Sequence, residues 1–220
     1  MSRAHRSFVV VGLGAFGSSV ASELARYGQQ VLGVDIDAKC VARLTDALDS
    51  TLILDTTDEG ALREAGLAGY DVALVAIGSD IQSSILTTMN LKLLGISTIW
   101  VKAASRTHHR ILTKLGVDRV ILPEQEMGRH IAEMLNNPML RDFVNLGNGY
   151  TVVNMLVPER FDDKPISTLK ISGKHDLRLL CVMRGTESLD HNQPETILKK
   201  DDKLILLGKR ADLRRFADIL

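Results

Sequence analysis

The chain has 220 residues, of which 45% are hydrophobic, and 27 Lys+Arg against 27 Asp+Glu; this suits one full domain plus a modest second one and leaves no whole-chain field to draw in nucleic acid or anionic lipid. No stretch offers the ~18 uninterrupted apolar residues of a membrane span. The basic start at Arg3, His5 and Arg6 lacks the apolar core and cleavage site of a secretory signal, so a cytoplasmic location is expected.

From Phe8 to about Asn136, short apolar runs alternate with longer helical patterns, the mark of a parallel sheet covered by helices on both faces. The runs are residues 8–11, 31–34, 51–54, 72–77, 98–101 and 119–122, six strands that predict a Rossmann-like doubly wound α/β sheet. Gly28 and Gly116 follow helical stretches, where a left-handed residue stops the helix. Asp80 reads as an N-cap opening a helix in which Ile81, Ile85, Met89 and Leu93 would pack on the sheet. His108 and His109 fall in a helical stretch beginning near Arg106 and, with no adjacent partner, read as exposed or capping. A last helix begins at Pro123 or Glu124, with Met127, Ile131, Met134 and Leu135 on one stripe expected to be core.

The pattern breaks at Asn136, Asn137 and Pro138, and Gly147, Asn148 and Gly149 follow shortly. The expected organisation is a nucleotide-binding domain over residues 1–137, a linker or crossover over 138–150 and a small α+β module over 151–220. In that module residues 151–157, 177–183 and 203–207 read as strands and 210–219 as a closing helix. Cys40 and Cys181 stand in no disulfide or metal-ligand pattern and read as ordinary reduced residues.

Gly12, Gly14 and Gly17 form G-x-G-x-x-G between the first apolar run and a helix. Gly12 would make the tight turn, Gly14 would let backbone approach a pyrophosphate, and Gly17 would let helix and strand pack closely. The helix start supplies free N–H groups and positive partial charge, with Ala15 and Phe16 in the same turn. Asp35 closes the second strand, where a carboxylate accepts hydrogen bonds from ribose hydroxyls and repels a 2′-phosphate. NADP is thus disfavoured, while ATP, ADP, AMP and NAD(H) stay open. Ile36 and Asp37 adjoin it, Asp37 also being a candidate cap. Asp55, Thr56, Ile77, Gly78, Ser79, Lys102 and Ala103 lie at or just beyond other strand ends, where such sheets bind ligands. No G-x-x-x-x-G-K-[ST] loop is present. The small second module leaves little for a substrate cavity, so binding without turnover is expected; a small NAD(H)-dependent oxidoreductase is the alternative, and a redox-responsive DNA-binding repressor is disfavoured by charge neutrality.

Together the segments Val11 to Gly17, Ala76 to Gly78, Thr98 to Ala103 and Leu122 to Gly128 resemble the regulator of potassium conductance (RCK) family, most closely its KtrA/TrkA-type cytosolic subunits, along nearly the whole chain. The resemblance implies an RCK N-domain and C-domain, assembled as a homo-oligomer of dimers in an octameric ring beneath a KtrB/TrkH-like membrane potassium-translocating subunit. ATP and ADP would compete for one site, with no nucleic-acid partner. Carried over, Asp35 holds the ribose, Asp55 and Thr56 the adenine edge, Ile77 to Ser79 the base and sugar, and Lys102 a nearby polar group; Ala103 and His108 complete the candidate set. Glu124 matches the family's carboxylate for a divalent cation or sodium near the phosphates. The helix carrying Met127 to Leu135 would continue into a crossover between subunits. The family's frequent arginine after the second glycine is Ala15 here, and losing a charge-assisted contact of roughly 1.5 to 3 kcal/mol predicts weaker preference for ATP over ADP. Family C-domains include binders of cyclic di-AMP or metal ions, and nothing in residues 151–220 selects among these.

Overall fold

The computed structural model describes residues 6–171 and 176–220, so Arg3 and His5 of the basic start lie outside the described residues. The chain forms two compact units, Met1–Glu126 and Met127–Leu220.

The first unit runs β1 (Ser7–Val11), α1 (Ala15–Arg26), β2 (Gln30–Asp35), α2 (Ala38–Ala42), β3 (Ser50–Ile53), α3 (Glu59–Glu64), β4 (Val72–Val75), α4 (Ile81–Leu93), β5 (Thr98–Lys102), α5 (Arg106–Lys114) and β6 (Arg119–Ile121). The strands form one parallel sheet in the order β3-β2-β1-β4-β5-β6. Val9, Val10 and Val11 are at most 2% exposed, as a central strand covered on both faces requires. Chain order reverses between β1 and β4, and the crevice beyond the carboxyl ends at this point is where a doubly wound sheet holds a ligand. Gly28 and Gly116 take the expected left-handed conformation after α1 and α5, at φ +74° and +71°.

Helix α4 turns inward a face that shares only Ile85 with the stripe its apolar spacing indicates. Ser84, Thr87, Thr88 and Leu91 are buried and Ile85 packs against the core as expected, while Ile81, Met89 and Leu93 are exposed. Both buried threonine hydroxyls find partners inside, Thr87 Oγ1 lying 2.7 Å from Thr56 Oγ1 and Thr88 Oγ1 donating to the Ser84 carbonyl at 2.7 Å, whereas the buried Ser84 hydroxyl has no partner among the described residues. Small hydroxylated residues let a helix approach the sheet closely once those bonds are made. Met89 is therefore not a core residue of this chain.

Helix α6 (Pro123–Asn136) contains the division between the units. Met127, Ile131 and Leu135 are exposed, contrary to the core role expected of the stripe; only Met134 packs against the core of the second unit. That unit continues with β7 (Leu140–Gly147), β8 (Tyr150–Leu156), β9 (Arg178–Arg184), β10 (Glu187–Leu189), β11 (Lys203–Lys209) and α7 (Arg210–Ala217). Its antiparallel sheet has the order β10-β9-β11-β8-β7. Alternation in β11 buries Leu204, Leu206 and Gly208, over which Leu213 and Phe216 of α7 close. Most of the stretch expected to be linker is strand: β7 hairpins onto β8 through Gly147, Asn148 and Gly149, all at positive φ. As an edge strand it leaves most side chains exposed, so its sequence lacks apolar alternation. Asp202, almost fully buried, accepts two hydrogen bonds from the Arg184 guanidinium, at 2.9 and 2.8 Å, and one from the Lys199 amide.

Candidate nucleotide-binding crevice

The crevice at the switch point has a volume of about 490 Å³, within the range of small-molecule sites. Gly12 has φ +91°, and a Cβ there would stand 3.0 Å from the Ala76 carbonyl carbon and the Ile77 nitrogen. A Cβ on Gly17 would overlap the Gly12 carbonyl oxygen, so α1 meets the end of β1 only because residue 17 has no side chain. Gly14 is extended, exposed and clear of neighbours within 4 Å. It caps α1 with backbone alone, and no acidic residue occupies the first turn, which leaves amides free to meet an anion.

Asp35 is tied into this loop. Its Oδ2 accepts from the Leu13 amide at 2.6 Å and its Oδ1 from the Asp37 amide at 2.8 Å, so each oxygen keeps a lone pair for a ribose hydroxyl. Asp37 caps α2 by accepting from the Lys39 amide at 2.9 Å. At the end of β3, Asp55 accepts from the Thr57 hydroxyl and amide, and these bonds hold its carboxyl below the usual carboxylate range. Thr56 is buried with its hydroxyl on Thr87, while Asn90 donates to the Thr56 and Thr57 carbonyls at 3.2 and 2.9 Å, fixing the loop. Ile77, Gly78 and Ser79 form the opposite wall, next to Asp80, whose carboxyl is lowered by the Ser83 hydroxyl and amide.

Gly12, Gly14, Asp35, Ile36, Asp37, Asp55, Thr56, Ile77, Gly78 and Ser79 thus share one crevice. Ala15, Phe16 and Gly17 belong to the α1 turn beside it. Lys102, at the end of β5, pairs with Glu124 in the first turn of α6, Nζ to Oε1 2.5 Å, and lies over the Phe16 ring 5.7 Å from its centroid. Its ammonium holds the Glu124 carboxyl below its usual range. Among the described residues, no group of three or more His, Cys, Asp or Glu is placed to hold a metal ion, so Glu124 offers a cation a single carboxylate. Ala103 is buried behind the loop. His108 is a correction to the expected exposed or capping residue: it is fully buried on the inner face of α5 with Leu112, its Nδ1 accepts from the Ala104 amide at 3.2 Å, and it does not line the crevice. The cap of α5 is Ser105 instead.

Sequence reasoning missed Cys40, Leu54, Thr57, Asp80 and Ser83 as crevice residues. Strand-end position alone nominates Leu54 and Thr57; Cys40 and Ser83 reach the wall from helices, and Asp80 carries in sequence only the signal of a cap. Arg43, also missed, donates to the Leu13 carbonyl at 3.3 Å and steadies the glycine loop from α2's end.

The TrkA-N domain family model matches residues 8–123 and the TrkA-C domain model residues 151–220. The chain belongs to the RCK family. Within it, this RCK chain is 36% identical over 212 residues to Ktr system potassium uptake protein A of Bacillus subtilis (strain 168), covering 96% of each. It is 33% identical over 213 residues to the protein of the same name from Vibrio alginolyticus, covering 97% of each. Among solved structures the GsuK channel bound to NAD shares its fold, with a TM-score of 0.65 and 14% identity over 97% of the RCK chain and 39% of the channel chain.

Proposed function

We propose that this RCK chain is the nucleotide-sensing regulatory subunit of a potassium uptake system of the Ktr kind. The observation that carries the reading is the glycine loop and Asp35 converging on one crevice in a chain alignable almost end to end with Ktr proteins. ATP and ADP are the proposed effectors, with AMP open, and the GsuK channel bound to NAD keeps NAD(H) in the set. With Ala15 exposed at the head of α1, no side chain at that position can pair with a terminal phosphate, so discrimination between ATP and ADP is reduced. A divalent or sodium ion at Glu124 would take its remaining ligands from the phosphates.

In this reading residues 1–137 are the RCK N-domain, 151–220 the RCK C-domain and 138–150 the connection between them. The chain works as dimers in a ring, octameric by analogy. The apolar residues exposed on α4 and α6 support self-association, because contiguous exposed apolar stripes mark interaction surfaces. No helix of the described residues is long and apolar enough to cross a membrane. The subunit is assigned to the cytoplasmic face through a membrane potassium-translocating partner. An effector shifts such a gate only by its difference in affinity between ring states. Potassium flux into vesicles carrying a Ktr-type membrane subunit should change when the protein is added, and change again between ATP and ADP. Flux indifferent to the protein contradicts the reading.

A further inference from the structure

The described residues lining the crevice include Asp35, Asp37, Asp55 and Asp80 and no lysine, arginine or histidine. A polyphosphate entering among four carboxylates needs a cation, and the free amides of α1 supply only about half a charge. Lys102 is not a lining residue but stands directly beside the crevice wall at Gly78. A Cβ on Gly78, in the crevice wall, would be 3.2 Å from its Nζ, and the ring of Phe16, the second residue of α1, lies beneath it. The Lys102 side chain is only 13% exposed, whereas that of its partner Glu124 is 68% exposed. The cation is therefore held in position and the anion is free to swing into water.

Building on the nucleotide reading above, we propose that Glu124 is an intramolecular stand-in for the outermost phosphate of the bound nucleotide: it occupies Lys102 until that phosphate displaces it. The exchange makes Lys102 the residue that reads phosphate charge. A diphosphate and a triphosphate reach it to different extents, and the freed Glu124 carboxylate lies in the first turn of α6. Gly78 belongs to the same device, since a side chain there would crowd the ammonium from the crevice side.

The test compares affinities for ATP and adenosine by calorimetry, with chelator present, in the parent chain, Lys102→Met, Glu124→Gln and the double variant, after thermal melts confirm that each is folded. Lys102→Met should cut the ratio of ATP to adenosine affinity about tenfold or more, as expected for loss of a charge-assisted contact, and Lys102→Arg should restore part of it. Glu124→Gln should raise the ratio about two- to fivefold, the worth of an exposed ion pair, and should raise it only where Lys102 is present. An unchanged ratio in Lys102→Met, weaker ATP binding in Glu124→Gln, or an equal gain in the Lys102→Met background overturns the exchange. A parent chain that binds neither ATP nor adenosine overturns the nucleotide reading itself, whereas binding with ratios insensitive to these variants defeats only the exchange.

Discussion

A methyl group at Gly17 would overlap the Gly12 carbonyl oxygen, whereas one at Gly14 meets no heavy atom within 4 Å. Gly17→Ala should therefore cost about 1 to 3 kcal/mol of stability in urea denaturation, because backbone on both sides must give way. Gly14→Ala should leave stability within about 0.5 kcal/mol yet weaken nucleotide binding, since the methyl stands where phosphate approaches. Equal stability losses for the two would contradict the roles assigned here. His108 gives a pH dependence. Burial depresses its pKa below the ordinary 6.5, so the unfolded chain takes up a proton before the folded one does. Stability is unaffected above that value and falls as pH drops from it toward the folded pKa, by at most about 1.4 kcal/mol per pH unit. Chemical denaturation of parent and His108→Gln between pH 7 and 5 checks this: the variant should lose that part of the slope. The glycines and Asp35 were legible because their chemistry dictates both residue type and spacing. The burial of His108 was not, because an imidazole that accepts a bond from a backbone amide looks in sequence like any other helical histidine.

At the scale of elements, the six strands of the first unit could be read to within a residue or two, since a strand covered on both faces must be a continuous apolar run. Helix faces were harder. Apolar spacing in α4 selected Ile81, Ile85, Met89 and Leu93, of which only Ile85 packs on the core, while the buried face is built from Ser84, Thr87, Thr88 and Leu91, and the Thr87 hydroxyl bond cannot be anticipated without the partner loop. Thr87→Val should accordingly destabilise by about 1 to 3 kcal/mol, because the buried Thr56 hydroxyl loses its partner; a change near zero, read by thermal melting, would contradict that packing. Met89→Lys on the opposite face should leave the stability of a dilute chain unchanged but lower the mass of the assembly measured by light scattering. An unaltered mass would remove α4 from the proposed interface. Strand β7 escaped notice because an edge strand is not required to alternate.

At the scale of the whole chain, an N-terminal doubly wound unit and a C-terminal antiparallel unit match the TrkA-N and TrkA-C models, and sequence shows two units of this kind through the break at Asn136, Asn137 and Pro138 and the change of texture from Thr151. The contact division after Glu126 falls inside α6, a position that periodicity does not mark because a helix runs on through it. The proposed sensing requires the first unit to present free amides of α1 and the Asp35 carboxylate to one adenine nucleotide. Isothermal titration of the purified chain with ATP, ADP and NADH, set beside Asp35→Ala, tests this most directly. Saturable heat with at least one of these ligands, reduced about tenfold or more in affinity by the substitution, is the predicted result. A folded chain that gives no heat with any of them would contradict it.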